Sequence, residues 1–135
     1  MKNTLFSKEA LAYCSRHARI ERGELVDVSN MAAEIGFRWP VAVSRAVWRQ
    51  YIEWPKEYGA LQDTDGRMWD VLSMLFFAIK APSAKKTPNI LFYELLVVPR
   101  LREYKNPRKV KLKSVLMPDD NRQPTITVML PMEYE

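Results

Sequence analysis

The C-terminal part of the chain alternates, and that constrains the fold more than any other feature. From residue 108 to 117 the sequence reads Arg-Lys-Val-Lys-Leu-Lys-Ser-Val-Leu-Met. In an extended strand, Lys109, Lys111 and Lys113 point one way and Val110, Leu112 and Ser114 the other. Thr125, Thr127 and Met129 alternate with Ile126, Val128 and Leu130 in the same manner. A period of two suits a strand and not a helix. Residues 89–98 add a run of strand length that is apolar apart from Asn89 and Glu94. Pro99, Asn106, Pro107, Pro118, Asp119, Asp120 and Asn121 supply turn chemistry between the runs. Three strands joined this way predict an antiparallel meander.

The first 80 residues read as helices. Ser7 and Glu9 can open one over residues 7–22, with Leu11, Cys14 and Ala18 at helical spacing and Gly23 as the stop. Ser15 can equally cap a shorter helix. Leu25, Val26 and Val28 predict a short strand over 24–28. Ser29 reads as the N-cap of a short helix ended by Gly36. Phe37-Arg38-Trp39-Pro40 is a connector, because the residue before proline avoids helical geometry. Ser44 predicts a cap for residues 45–54, closed by Pro55. A polar loop over 56–66 precedes a helix over 67–80. There Trp69, Leu72, Phe76 and Ile79 make one stripe, widened by Val71, Leu75 and Phe77. Such an all-round apolar helix is expected at the centre of the core.

Helices followed by strands predict an α+β class. The expected architecture is a single domain over residues 1–135, with N-terminal helices packed on a C-terminal three-stranded antiparallel sheet. The short strand near Leu25 is a candidate fourth member. A chain of 135 residues suits one core.

Composition removes several chemistries. One Cys and one His exclude an intramolecular disulfide, a cysteine zinc cluster and a multi-histidine metal site. There is no phosphate-binding loop, and four scattered glycines make no dinucleotide fingerprint. His17, among Arg16, Arg19 and Arg22, reads as a solvated helix-face residue. Cys14 lies three residues before it, but no third group orients a pair, so a buried structural thiol is expected. Asp63 with Asp65 and Asp119 with Asp120 are turn residues first and metal ligands second. The expectation is a non-enzyme with no cofactor and no metal. No targeting segment is visible, and the apolar stretch over 71–79 is far short of the roughly 20 residues that span a bilayer. A cytoplasmic protein without membrane contact is therefore expected, with Cys14 reduced.

The net charge of +5 is unevenly placed. Residues 1–80 carry 11 basic and 10 acidic side chains. Between 100 and 113, Arg100, Arg102, Lys105, Arg108, Lys109, Lys111 and Lys113 face only Glu103. Lysines two residues apart stand about 6.6–7 Å apart on a strand, a spacing near that of phosphates along a nucleic acid. Tyr104 can stack on a base. Arg100, Arg102, Tyr104, Arg108, Lys109, Lys111 and Lys113 are thus candidate contacts to a nucleic acid or a protein partner. The competing reading is edge-strand protection by lysine. A second candidate is a nucleotide site of Arg38, Trp39 and Arg45, with a phosphate at the helix start near Ser44.

Several segments together suggest a family. They are Gly23-Glu24-Leu25-Val26-Asp27-Val28-Ser29, Ala33-Glu34-Ile35-Gly36-Phe37-Arg38-Trp39-Pro40-Val41-Ala42-Val43, Ala46-Val47-Trp48, Gly66-Arg67-Met68-Trp69-Asp70-Val71-Leu72 and Gln123-Pro124-Thr125-Ile126-Thr127-Val128-Met129-Leu130-Pro131. From Gly23 on, the chain resembles a family of uncharacterised small proteins carried by plasmids and phages. It departs from that family in the N-terminal extension and around residues 100–113. The resemblance implies a mobile-element accessory protein that counteracts host defence by binding. The expected partner is a host defence effector complex or its nucleic acid, as for an anti-CRISPR-type inhibitor. The alternatives are a sponge for a nucleotide signal, a metal-assisted enzyme using the acidic loops, and a homo-oligomeric regulatory protein, a homodimer among the options.

Overall fold

The computed structural model describes residues 14–81, 89–100 and 106–134. Its centre is a five-stranded mixed sheet, not the three-stranded antiparallel sheet expected. The strands are β1 (Leu25–Asp27), β2 (Val41–Ser44), β3 (Ile90–Val97), β4 (Arg108–Pro118) and β5 (Pro124–Met129). Their order is β1-β2-β5-β4-β3. The C-terminal meander is present, with β3–β4 and β4–β5 antiparallel. β1 pairs antiparallel with β2, and β2 joins β5 in parallel through Val41–Ile126 and Val43–Val128. Val41–Ser44 is too short to announce itself as a strand, yet all four residues are buried.

The helices begin where polar side chains satisfy free N–H groups. α1 (Arg16–Glu21) starts at Ser15, whose Oγ accepts from the Ala18 N–H at 3.1 Å. Residues 7–13 of the longer alternative lie outside the described residues. α2 (Ser29–Ile35) contains Ser29 instead of being capped by it. The Ser29 hydroxyl donates to Asp27 Oδ1 at 2.5 Å and accepts from the Val41 N–H at 3.1 Å, tying the helix start to β2. α3 (Arg45–Val47) is capped by Ser44, as expected, and continues as a π-helical turn, Trp48–Ile52. A short 3-10 turn (Lys56–Tyr58) follows. α4 (Thr64–Lys80) starts three residues before residue 67, because Asp63 Oδ1 accepts from the Gly66 N–H at 2.6 Å.

One face of the sheet holds the main core. Val41, Val43, Tyr93, Leu95, Leu112, Ile126 and Val128 meet Val71, Leu72 and Leu75 of α4. Each fully buried aliphatic side chain contributes roughly 1.5–3 kcal/mol. The Tyr93 hydroxyl donates to the Val71 carbonyl at 3.0 Å. α4 is not the all-round buried helix expected. Trp69, Met74 and Ile79 are exposed, and Phe77 is 65% exposed. The helix lies on one side of the sheet, so only its Val71–Leu72–Leu75 face is covered.

The other face is partly covered by α1 and by residues 130–134. Arg16 Nη1 donates to Thr127 Oγ1 at 2.6 Å and Nη2 to the Ile126 carbonyl at 3.0 Å. Glu133 Oε2 accepts from the Ser44 hydroxyl and the Leu130 N–H, both at 2.7 Å. Among the described residues no helix is long and apolar enough to cross a membrane.

Candidate functional site

The start of β4, the end of β3 and the π-helical turn meet around one open cleft of about 480 Å³. Arg49 and Tyr51 come from the π turn, Tyr58 from the 3-10 turn, Arg100 from beyond β3, and Arg108 and Lys109 from β4. The π turn closes through a Glu53 N–H to Trp48 carbonyl bond at 2.8 Å. It turns consecutive polar residues of a core helix toward the cleft, and such turns recur at functional sites.

Arg100 is the braced cation of this group. Its Nη1 donates to the Arg49 carbonyl and lies 3.6 Å from Glu53 Oε1, and its guanidinium sits 5.6 Å from the Tyr58 ring centre. Arg49, Arg100, Arg108 and two tyrosines around one concavity can take phosphate oxygens and stack a base or sugar, whereas Lys109, opposite Leu96, lines it from the other face of the strand.

A smaller cavity of about 190 Å³ adjoins the cleft, sharing Tyr51 and Val97 with it. Arg67 is in its wall and is 3% exposed. Its Nη1 donates to the Val98 carbonyl at 2.8 Å, holding the chain just before Arg100. Its guanidinium stacks 4.9 Å from the Trp54 ring centre. Burial, with Arg100 adding to the effect, pushes the Arg67 guanidinium down to about 10. Asp70, in the same wall, is raised by burial, with Arg67 acting against the rise.

The expected contact residues thus divide. Arg100, Arg108 and Lys109 come together at the cleft. Arg102 and Tyr104 lie outside the described residues. Lys111 points to the same side as Lys109, but its Nζ lies 5.1 Å over the Phe92 ring. Lys113 is 6% exposed and donates to the Glu133 carbonyl at 2.5 Å, so it faces the C-terminal segment, not solvent. Edge protection does not describe this row. β4 pairs with β3 along its length up to Val115, and the edge strand is β3.

The Arg38, Trp39 and Arg45 set is not brought together. Arg38 and Trp39 precede β2 and Arg45 follows it, with a strand of about 10 Å between them. The helix start at Ser44 already holds a carboxylate, that of Glu133. A phosphate there would meet a like charge.

The remaining polar candidates have structural partners. His17 is exposed and pairs with Glu21 at 2.9 Å across one helical turn. Cys14 is exposed, not buried as expected. Asp119 Oδ1 accepts from the Asn121 and Gln123 N–H groups, both at 2.8 Å. Asp120 accepts from the N–H groups of Arg16 and His17. Among the described residues no group of three or more His, Cys, Asp or Glu could hold a metal ion. The sequence reading did not find Arg67, Tyr51 or Tyr58. The only available signal was the polar interruption Arg49-Gln50 inside an otherwise apolar helix stripe.

The chain belongs to DUF6573, a family of unknown function, whose model matches residues 1–134. That match includes both the N-terminal segment and the basic segment. Comparison with curated proteins and with solved structures found no match.

Proposed function

Since membership of this family assigns no role, we propose that the chain is a non-enzymatic binding protein whose cleft takes the phosphate backbone of a nucleic acid. The observation that carries this reading is the convergence of Arg49, Arg100 and Arg108 with Tyr51 and Tyr58 on one open cleft. Phosphate contacts of this kind give affinity and little sequence selectivity. We further propose, on the resemblance read from the sequence, that it is an accessory protein of a mobile element. In that setting the protein counteracts host defence in the anti-CRISPR manner, engaging a nucleoprotein effector in the cytoplasm through its nucleic acid.

Titration of fluorescent single- and double-stranded DNA and RNA at several salt concentrations tests this. Three phosphate contacts predict a slope of log affinity on log salt of about −2 for single strands and nearer −3 for duplex DNA. Arg49→Glu with Arg108→Glu should reduce binding at low salt at least tenfold and flatten the slope. Absence of binding at low salt, or binding unchanged by that pair, refutes the reading.

A second reading is sequestration of a small nucleotide. The cleft volume of about 480 Å³ falls in the usual range for small-molecule sites. Thermal-shift screening with mono- and cyclic nucleotides separates the two, since a tight ligand raises stability by mass action.

A further inference from the structure

β3 is the last strand of the sheet, and among the described residues no other strand pairs with its outer side. The Leu116 N–H donates to the Asn89 carbonyl at 2.7 Å, which fixes the phase of the β3–β4 ladder. Leu91, Tyr93, Leu95 and Val97 therefore exchange bonds with β4. Phe92, Glu94 and Leu96 aim their N–H and C=O groups out of the sheet. The same three residues place their side chains on the face away from α4. Phe92 is 48% exposed, Leu96 is 64% exposed, and Glu94 is exposed as well. Lys111 lies directly across from Glu94 and holds its Nζ 5.1 Å over the Phe92 ring.

We infer that this edge pairs with the same edge of a second copy of the chain, antiparallel about a two-fold axis. Two registers centre the axis within the exposed stretch from Phe92 to Leu96. One sets Glu94 against the partner's Glu94, and like charges directly opposite are destabilising. The other places the axis at Tyr93 and pairs Phe92 with the partner's Glu94. Both residues of that pair aim their main-chain groups outward, so each such pairing exchanges two hydrogen bonds.

The second register is also matched in charge. The partner's Glu94 stands about 5 Å from Phe92, the usual cross-strand spacing, on the face where Lys111 already covers that ring. The contact is isologous, so each copy supplies both the carboxylate and the ammonium. Solitary edges are usually blunted by proline or lysine. From Ile90 to Val97 the one charged residue is Glu94, and it is complementary to the lysine its neighbour would bring.

Mass measured by light scattering over a dilution series tests this. Wild-type protein should reach twice the 15.8 kDa of one chain and fall toward that value on dilution. Glu94→Lys should hold the protein at one chain mass, and adding Lys111→Glu should restore the dimer. Glu94→Pro removes an N–H that faces outward, a position where an edge strand tolerates proline. It should abolish the dimer while circular dichroism stays unchanged. A single-chain mass at every wild-type concentration overturns the inference. So does a dimer that survives both Glu94→Lys and Glu94→Pro, or a double charge swap that does not restore it. If Glu94→Pro fails to fold, the charge swap decides alone.

Discussion

Arg67 is a buried cation with incomplete hydrogen bonding, and its substitution has a calculable outcome. Nη1 has the Val98 carbonyl, whereas Nε and Nη2 are buried with no hydrogen-bond partner. Its fall to about 10 from the ordinary guanidinium value corresponds to roughly 3 kcal/mol against the charged form at neutral pH. Arg67→Met removes that penalty and keeps most of the volume. It also forfeits the bond to Val98, about 1–3 kcal/mol, and the stacking on Trp54, about 0.5–2 kcal/mol. The opposing effects nearly cancel, so Arg67→Met should lie within about 1 kcal/mol of wild type. Arg67→Ala suffers the same losses and leaves a cavity, so it should fall a further 2–5 kcal/mol, roughly. Urea unfolding followed by tryptophan fluorescence reads both variants, since Trp54 is stacked on the guanidinium. If Arg67→Met loses more than about 3 kcal/mol, the guanidinium is net stabilising and the reasoning fails. Replacing a buried charge by an apolar residue of like size is often neutral, whereas truncating it is not.

Two further predictions concern stability. Burial pushes the Tyr93 hydroxyl well above its ordinary value, so the unfolded chain loses this proton first as pH rises. Its contribution is complete below about pH 10 and then falls by about 1.4 kcal/mol per pH unit. Tyr93→Phe should cost about 1 kcal/mol at pH 7, for the bond to Val71, and the two stability curves should cross roughly one unit above pH 10. Gly36 ends α2 at φ +131°, and a Cβ there would come within 2.9 Å of Phe76 Cζ. Gly36→Ala should therefore destabilise by roughly 1–3 kcal/mol. Gly23→Ala, at φ +78° in open space, should lose only about 1 kcal/mol in the same thermal unfolding assay.

How far the sequence revealed the molecule depended on whether the signal was local. The β4 and β5 alternation, the Ser44 cap and the stop at Gly36 are all written within a few residues, and each was legible. β2 was not, because four residues have no period to read and their partner lies more than eighty positions later. The exposure of Phe77 and Trp69 was misjudged for a related reason. An apolar helix looks central until the number of layers is known. The site was half legible. The basic segment contains Arg100, Arg108 and Lys109, but its charge count gave equal weight to Lys113, which the C-terminal segment covers. Arg49 and Tyr58 join the site only because a π turn and a 3-10 turn fold back over the end of β3.

The parallel seam between β2 and β5 has a consequence for the order in which the chain acquires structure. Val41, Ala42 and Val43 are fully buried, and their seam partners run from Ile126 to Val128. Ordering so long a connection loses chain entropy before the seam returns any hydrogen bond. The β3–β4–β5 meander and the β1–β2 pair each close over far shorter connections than the seam does, so the seam between them is the late event. During synthesis, β2 therefore waits with one edge open until β5 has left the ribosome. The interval is set by the translation of the intervening helices and hairpin, and it is then that the N-terminal half is most exposed to wrong strand partners.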